Sequence, residues 1–224
     1  MSSKRLPGKA LLELSQGSTI LESIIERVQK INLLDHFCVA TSKETSDDPI
    51  FEKAKEIGID VYRGSLNDLI SRSIGASTYY GYTDFLRICG DRPFLDPFLY
   101  DELIHIHKAN KNHLTTNIFP RTVPPGLSGE VVNVKALEEI SHKITRKKDK
   151  EHLTNFFYTN NHEYCIQNVN QSNIAYPIEF NLTLDNSEDL KKIIWIKENL
   201  NPQDRFNTSE IMSLNIKWNK NKHR

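Results

Sequence analysis

A chain of 224 residues is long enough to bury the core of one sizeable domain. Its 29 basic and 29 acidic side chains balance, which argues against a general binder of nucleic acid or of anionic membranes. No apolar run approaches the roughly 20 residues that cross a bilayer, and the cysteines form no paired motif. We therefore expect a cytoplasmic protein in which Cys38 and Cys89 are buried free thiols.

Apolar stretches at helical and strand spacing alternate through the first part of the chain. The predicted helices are 18–31, 50–57 and 67–80, and the predicted strands are 36–41, 59–62 and 84–89. This alternation predicts an α/β fold with a mostly parallel sheet that is covered on both faces. Ligands of such sheets bind beyond the carboxyl ends of the strands, so the loops after Thr41, Tyr62 and Cys89 are the expected ligand sites.

The second part of the chain continues this pattern less regularly. Its predicted helices are 98–109, 135–144 and 187–200, and its predicted strands are 114–119, 130–134 and 179–184. We expect the strand at 130–134 at an edge of the sheet, whereas the stretch from Asn160 to Ser172 has no pattern that predicts a structure. Residues 1–200 are the predicted main domain, and residues 201–224 are a predicted helical extension with a basic, fraying tail.

The opening stretch, residues 1–9, carries two cations that could bind a polyphosphate. Arg5 and Lys9 are four residues apart, with Pro7 and Gly8 between them. Proline fixes one backbone angle and glycine permits unusual ones, so a tight loop could hold both cations ready for phosphate oxygens. The structural alternative is a disordered basic terminus. A phosphate loop of this kind normally follows a first strand, and none precedes it here. We therefore expect either a truncated start or a sheet that lacks its first strand.

Two aspartates follow predicted strands and are candidates for a metal site. Asp91 closely follows one strand, and Asp185 directly follows another. In a parallel sheet both carboxylates could reach the edge where the carboxyl ends of the strands meet. There they could hold Mg²⁺, with phosphate oxygens and waters completing its octahedral shell. The structural alternatives are a turn residue for Asp91 and, for Asp185, a capping box with Glu188.

Other charged residues near the strand ends have both a functional and a structural interpretation. Arg63 and Asp68 flank a strand–helix turn where a nucleoside could lie, but an ordinary charge pattern at a helix start explains them equally. Arg87 could contact phosphate or sugar, or it could pair with Asp84 or Asp91.

Three residues further along are candidates for contact with a second substrate. Glu151 and His152 could touch that substrate or could form a solvated helix start, and Glu130 could be paired within its strand instead. The sequence contains no Gly-rich phosphate fingerprint, no zinc spacing and no serine or cysteine nucleophile motif.

An ordered set of segments resembles the sugar cytidylyltransferases. The similarity is greatest to the spore-coat-polysaccharide type and to synthetases of CMP-activated sugar acids, including acylneuraminate cytidylyltransferases. The segments are MSSKRLPGK (1–9), RGS with DL (63–69), RICGDRP with DP (87–97), PGL with EV (125–131), KEHLT (150–154) and TLD with EDL (183–190). Together they cover about residues 1–200 and are far more specific than any one of them.

The resemblance implies a Rossmann-like nucleotidyltransferase sandwich that joins a sugar or sugar acid to CTP, with release of pyrophosphate, for surface polysaccharide biosynthesis. It also implies a homodimer. Arg5 and Lys9 would bind the triphosphate and serve catalysis, and Asp91 and Asp185 would hold Mg²⁺. Further nucleotide contacts would come from Arg63, Asp68 and Arg87, and the sugar would lie near Glu130, Glu151 and His152.

Two other functions stay open at this point. Family members usually carry a first strand and an Ala-Arg pair ahead of the loop, and loss of one phosphate donor costs on the order of 10²–10³ in rate. The chain could therefore be a weakened enzyme or a nucleotide-binding or interaction protein without catalysis. A nucleotide-sugar-dependent glycosyltransferase is the second alternative, although no Asp-x-Asp motif follows a strand.

Overall fold

The computed structural model describes residues 6–15, 17–170 and 180–222, apart from the side chains of residues 147, 148 and 222. Arg5 lies outside the described residues, as do Glu179 of the last predicted strand and the end of the stretch from Asn160 to Ser172. The strands are β1 (Glu13–Ser15), β2 (Ser18–Thr19), β3 (Val39–Ser42), β4 (Val61–Gly64), β5 (Asp84–Arg87), β6 (Leu114–Thr116), β7 (Glu130–Asn133) and β8 (Ile166–Asn168). The α-helices are α1 (Ile20–Val28), α2 (Asp48–Glu56), α3 (Leu69–Tyr80), α4 (Pro97–Asn110), α5 (Val134–Lys143), α6 (Asn155–Thr159), α7 (Ser187–Asn199) and α8 (Thr208–Lys222).

The strands form a short hairpin and two sheets. β1 and β2 make the hairpin, and β3 and β4 form a parallel pair. The larger sheet has the order β5-β7-β6-β8, in which β7 runs antiparallel to both neighbours and β6 runs parallel to β8. The α/β class is confirmed. The sheet is mixed where a mostly parallel one was expected, because the long connection 117–129 returns the chain into the sheet in the opposite direction.

The edge position predicted for residues 130–134 is wrong. β7 lies between β5 and β6, and its two valines are buried on opposite faces. Val131 packs in a core with side chains of α1, α4, α7 and α8, whereas Val132 packs in a second core with side chains of α3 and α5. Helices therefore cover both faces of the sheet, as the sequence predicts.

Helix α1 begins at Ile20, two residues later than the predicted start at Ser18. Residues 18 and 19 pair with β1 in the hairpin, whose turn places Gly17 at a φ of 72°. The Thr19 hydroxyl then accepts from the Glu22 N–H, and the Glu22 carboxylate accepts from the Thr19 N–H at 2.8 Å. This reciprocal cap fixes the start of the helix.

Residues 180–184 do not form the predicted strand. Their backbone bonds go to two different loops: the Leu182 N–H donates to the Pro125 carbonyl and the Leu184 N–H donates to the Asp91 carbonyl, each at 2.9 Å. Leu182 and Leu184 are nonetheless buried in the first core. The alternating apolar pattern of residues 180–184 therefore reflects burial of Leu182 and Leu184. It does not indicate a strand here, because the backbone N–H groups of these two residues donate to loops and not to a neighbouring strand.

The C-terminal extension packs on the first core. Ile211, Met212 and Leu214 of α8 are buried, and the Thr208 hydroxyl donates to the Asp96 carboxylate at 2.5 Å. The helix continues to Lys222, and fraying of the basic tail stays a prediction. Burial of one apolar side of α8 explains its order despite a weak helical pattern.

None of the described helices combines the length and the apolar character that a membrane crossing requires.

Candidate active site

Three charged groups from distant parts of the sequence meet at one end of the fold. Lys9 Nζ donates to Asp91 Oδ2 at 2.9 Å and to the Leu184 carbonyl at 2.9 Å, and it lies 3.7 Å from Asp185 Oδ1. We call Lys9, Asp91 and Asp185 the mouth cluster. Their side chains are 20–33% exposed, so the cluster is open to solvent.

Local backbone geometry aims each member of the mouth cluster. Gly8 adopts a left-handed conformation, with a φ of 71°, immediately before the 3-10 turn Lys9–Leu11. That conformation suits glycine and turns the chain so that Lys9 faces the aspartates. The Leu184 N–H bond to the Asp91 carbonyl fixes the spacing between the two aspartate-bearing segments.

The capping-box explanation of Asp185 is displaced by one residue. Asn186 caps α7, and Asp189 completes the box by accepting from the Asn186 N–H. The Asp185 carboxylate instead lies beside Lys9, with the Thr183 hydroxyl 3.5 Å from its Oδ2. The structure therefore brings Asp185 together with Lys9, and its role as a metal ligand stays a prediction.

The donor set of the mouth cluster suits a metal that a substrate helps to hold. Two carboxylates face the same ammonium group, and within the described residues no three His, Cys, Asp or Glu side chains come together as a metal site. Mg²⁺ is usually bound through one or two carboxylates together with phosphate oxygens and waters. The two aspartates fit a shared Mg²⁺–triphosphate and do not make a complete protein cage.

A second cluster surrounds the carboxylate of Glu130. It accepts from Arg87 Nη1 at 2.7 Å, from the Thr154 hydroxyl at 2.7 Å and from the Tyr158 hydroxyl at 2.6 Å. We call these four residues the Glu130 cluster. Arg87 thus pairs with Glu130 across β5 and β7, and not with Asp84 or Asp91.

Burial and neighbouring charge act in opposite directions on the Glu130 cluster. Burial raises the pKa of Glu130, but the charge of Arg87 and the two hydroxyl donors outweigh it and hold that pKa below its ordinary value. Burial and the charge of Glu130 together raise the pKa of Tyr158. The cluster at neutral pH is therefore a buried carboxylate with a neutral phenol and an arginine cation.

Two arginines that the sequence did not single out lie near this cluster. Arg92 donates to the Ser128 carbonyl, and Arg121 Nη1 donates to the Ser128 hydroxyl at 2.9 Å. Burial lowers the pKa of Arg121, and the positive charge of Arg92 lowers it further. The two guanidinium groups are thus close enough to repel each other. Arg92 belongs to the motif at 87–97, but nothing in the sequence pairs it with Arg121.

Arg63 and Asp68 make structural contacts at the ends of β4 and α3. Arg63 donates to the carbonyls of Ser42 and Glu44 at 2.8 and 2.9 Å and pairs with Asp48 at 2.7 Å. Asp68 caps α3 and pairs with Lys150 at 3.1 Å. These bonds brace the loops after β3 and β4, and nucleoside contact by either residue stays a prediction.

Glu151 and His152 are exposed at the end of the 3-10 turn Lys147–Glu151. The neighbouring Thr154 and Tyr158, four residues apart on one side of α6, reach Glu130 instead. The helical spacing of these two hydroxyl groups could have been noticed in the sequence, but their partner could not.

Comparison with known proteins decides the family. A model of the cytidylyltransferase family matches residues 1–205. The chain belongs to the cytidylyltransferase family. As a member, this cytidylyltransferase is a nucleotidyltransferase that uses CTP.

Its relatives share most of its length. An uncharacterized protein of Methanocaldococcus jannaschii is 32% identical over 190 residues, which cover 84% of this chain and 76% of the relative. The spore coat polysaccharide biosynthesis protein SpsF of Bacillus subtilis is 29% identical over 222 residues, covering 96% and 90% of the two chains.

Solved structures agree with the fold. A cytidylyltransferase from Leptospira borgpetersenii superposes with a TM-score of 0.86 at 27% identity, over 100% of this chain and 92% of the other. A CMP:2-keto-3-deoxy-manno-octonic acid synthetase complexed with CTP gives a TM-score of 0.62 at 13% identity, over 88% and 94% of the two chains. The second similarity is one of fold alone.

Proposed function

We propose that this cytidylyltransferase transfers CMP from CTP to a sugar or sugar acid and serves surface polysaccharide biosynthesis. The observation that carries the chemistry is the mouth cluster, in which Lys9 lies between Asp91 and Asp185. The biosynthetic role is supported by the similarity to SpsF, a spore coat polysaccharide biosynthesis protein.

In this proposal the mouth cluster binds the triphosphate. Lys9, together with Arg5 outside the described residues, contacts phosphate oxygens, and Asp91 and Asp185 would hold Mg²⁺. A bound Mg²⁺ would offset negative charge on the triphosphate and on the departing pyrophosphate. The acceptor oxygen attacks the α-phosphorus of CTP. The bond between the α-phosphorus and the oxygen that bridges it to the β-phosphorus breaks, and pyrophosphate leaves. The protein contributes alignment and charge stabilisation to this displacement.

The acceptor is proposed to lie beside the Glu130 cluster, near Glu151 and His152, with an acidic group directed at Arg92 and Arg121. Both guanidinium groups bond to Ser128, and like charges held together are stabilised by an anion between or beside them. This positive excess favours a sugar acid over a neutral sugar as the acceptor.

The direct experiment measures pyrophosphate release from CTP and Mg²⁺ with a panel of sugars and sugar acids. We expect release with at least one acceptor and a loss of at least 10³-fold in Asp91→Asn, because the charge that would hold the metal is removed. Asp35→Asn is the matched control, since the Asp35 side chain is 96% exposed and lies 3.6 Å from Lys108.

The other outcomes are also informative. CTP binding without release for any acceptor would favour the catalytically impaired nucleotide-binding protein. Sugar transfer from a ready-made nucleotide sugar would favour the glycosyltransferase. Full turnover in Asp91→Asn would remove the mouth cluster from the proposed chemistry.

A further inference from the structure

The segment that carries Asp185 is held in place without a sheet. Residues 181–185 belong to none of the described strands. In the middle of the segment, the N–H groups of Leu182 and Leu184 each donate to a loop carbonyl at 2.9 Å, and both leucine side chains are buried. The two ends of the segment need other partners if Asp185 is to keep one position.

Helix α7 holds the first end of the segment through Lys192, which is 8% exposed. Lys192 Nζ donates to the Asn181 carbonyl at 2.6 Å. The Asn181 side chain organises the next turn, because its Oδ1 accepts from the Thr183 N–H at 2.8 Å and from the Thr183 hydroxyl at 2.6 Å. The same hydroxyl lies 3.5 Å from Asp185 Oδ2. A chain of contacts therefore leads from Lys192 to the Asp185 carboxylate.

Helix α7 holds the other end of the segment through Asp189. Asp189 Oδ2 accepts from the Asp185 N–H at 3.1 Å and from the Asn186 N–H at 3.2 Å. Asp189 Oδ1 lies 3.6 Å from Lys192 Nζ, three residues further along the helix, and the two side chains are only 13% and 10% exposed. We call Asp189 and Lys192 the α7 pair. One ion pair on one face of the helix thus contacts both ends of the segment.

We propose that the α7 pair is a positioning device, which holds the Asp185 carboxylate where it can share Mg²⁺ with Asp91. This inference rests on the proposed function, because it assigns the pair a role in the metal–nucleotide complex. Mg²⁺ demands near-ideal octahedral geometry. A ligand of such a site has to be held within about 0.5 Å of its productive position by the residues around it. On irregular backbone this support has to come from side chains, because no strand ladder supplies it.

A shift of the segment would reach the whole mouth cluster. The Leu184 N–H donates to the Asp91 carbonyl at 2.9 Å, and the Leu184 carbonyl accepts from Lys9 Nζ at 2.9 Å. Displacement of Leu184 would therefore change the spacing of the two carboxylates and the position of the ammonium group together. The α7 pair acts on the metal and the triphosphate through these residues and touches neither itself.

The same helix carries a matched pair that faces solvent. Glu188 and Lys191 have the same three-residue spacing as the α7 pair and lie 3.7 Å apart, but their side chains are 44% and 69% exposed. Exposed pairs of this kind contribute little to structure. Lys191→Met therefore removes the same charge from a neighbouring position and is the control for Lys192→Met.

The first measurement is the gain in CTP affinity that Mg²⁺ produces, by calorimetry on the native protein and both variants. We expect Lys192→Met to lower this gain at least threefold and Lys191→Met to leave it within twofold. The sign is diagnostic, because loss of a positive charge near two carboxylates would by electrostatics alone favour a bound cation and enlarge the gain. A merely structural role would lower the fraction of protein that binds, with the gain per binding molecule unchanged.

Hydrogen exchange without nucleotide or metal is the second measurement, and it tests the structural step by itself. The Leu182 and Leu184 amides should lose protection at least tenfold in Lys192→Met and should keep it in Lys191→Met. The amides of α1 should be the same in all three proteins. Should Lys192→Met not fold, Thr183→Val removes the hydroxyl bond to Asn181 and should lower the Mg²⁺ gain at least twofold.

Two results would overturn this inference and leave the proposed function standing. The first is a native Mg²⁺ gain that Lys192→Met leaves unchanged or enlarges, and the second is unchanged protection of the Leu182 and Leu184 amides. A native protein whose CTP affinity does not respond to Mg²⁺ would instead overturn the proposed function, and the inference with it.

Discussion

The mouth cluster and the Glu130 cluster both join carboxylates to a basic side chain, but their surroundings are opposite. The mouth cluster is 20–33% exposed, and one ammonium group serves two carboxylates. Glu130 is 1% exposed, and each of its carboxylate oxygens has at least one donor. The partly exposed ion pairs of the mouth cluster can be replaced by contacts with an incoming ligand at a small cost in free energy. In the buried Glu130 cluster, removal of one partner leaves the others buried without a hydrogen-bonding partner, which costs far more.

This difference in exposure suggests that the two clusters contribute to different properties of the enzyme, one to turnover and the other to folding. The mouth cluster should govern turnover with little effect on folding, because water can replace its ion pairs. The Glu130 cluster should govern folding and the shape of the acceptor side, because its loss leaves buried groups without partners. Variants in the two clusters should therefore differ in which property they change.

Glu130→Ala should have the largest effect on stability. It leaves the Arg87 cation and the hydroxyl groups of Thr154 and Tyr158 without their shared acceptor, which costs about 3–5 kcal/mol for a buried pair. Urea unfolding with a fixed slope between variants measures this change. A loss below about 1 kcal/mol would show that the cluster is solvated and that the contrast with the mouth is false.

Lys9→Met should have the largest effect on turnover without unfolding the protein. Removal of one preorganised donor to a transition-state charge costs on the order of 10²–10³ in rate. The same change should alter the free energy of unfolding by less than about 1 kcal/mol, because the pairs it breaks are partly exposed. Steady-state kinetics and urea unfolding on the same preparation test both statements.

One result for Lys9→Met would contradict this assignment. A large loss of stability with normal turnover per folded molecule would place Lys9 with the structural residues. Asp35→Asn, which removes an exposed carboxylate, serves as control for both measurements.

Tyr158→Phe should have an intermediate effect. The phenol donates to Glu130 at 2.6 Å, and a hydrogen bond to a charged group contributes about 1.5–3 kcal/mol. The aromatic ring remains and keeps its stacking on Phe119, so packing is largely unchanged. A Phe119→Leu control, which alters stacking and leaves the phenol in place, separates the two contributions in urea unfolding.

The pH dependence of stability should be the smallest and most specific effect. Glu130 has a pKa lowered from 4.5 in the folded protein, so its contribution is present above about pH 4.5 and is lost as the pH falls through the folded value. Glu130→Gln should flatten the stability curve in that acidic range and leave it parallel to the native curve above pH 6. Equal curvature in both proteins below pH 4.5 would assign acid sensitivity to other carboxylates.

Much of the mouth could be predicted from the sequence. Strand–helix alternation and the ordered segments predicted that Asp91 and Asp185 come together, although residues 180–184, directly ahead of Asp185, do not form the expected strand. Pro7 and Gly8 marked the tight turn before Lys9. The alternation did not show the direction of β7, although Val131 and Val132 side by side are typical of a strand buried on both faces. A central position could have been inferred from that pair.

The Glu130 cluster and the small hairpin could not be predicted in the same way. Thr154 and Tyr158 reach Glu130 only through the tertiary packing of α6, which no local pattern encodes. β1 and β2 have three and two residues, too few for a periodicity to appear. Residues 180–184 show the opposite case. Their apolar residues alternate as in a strand, but the backbone N–H groups of Leu182 and Leu184 donate to loops.

The most direct test of the account measures CTP affinity by calorimetry with and without Mg²⁺ in the native protein, Asp91→Asn, Asp185→Asn and Asp35→Asn. If Lys9 and the two aspartates meet around one metal–nucleotide complex, Mg²⁺ should tighten CTP binding at least tenfold in the native protein and in Asp35→Asn. Either mouth variant should abolish that gain. An unchanged gain in Asp91→Asn or Asp185→Asn would contradict the account.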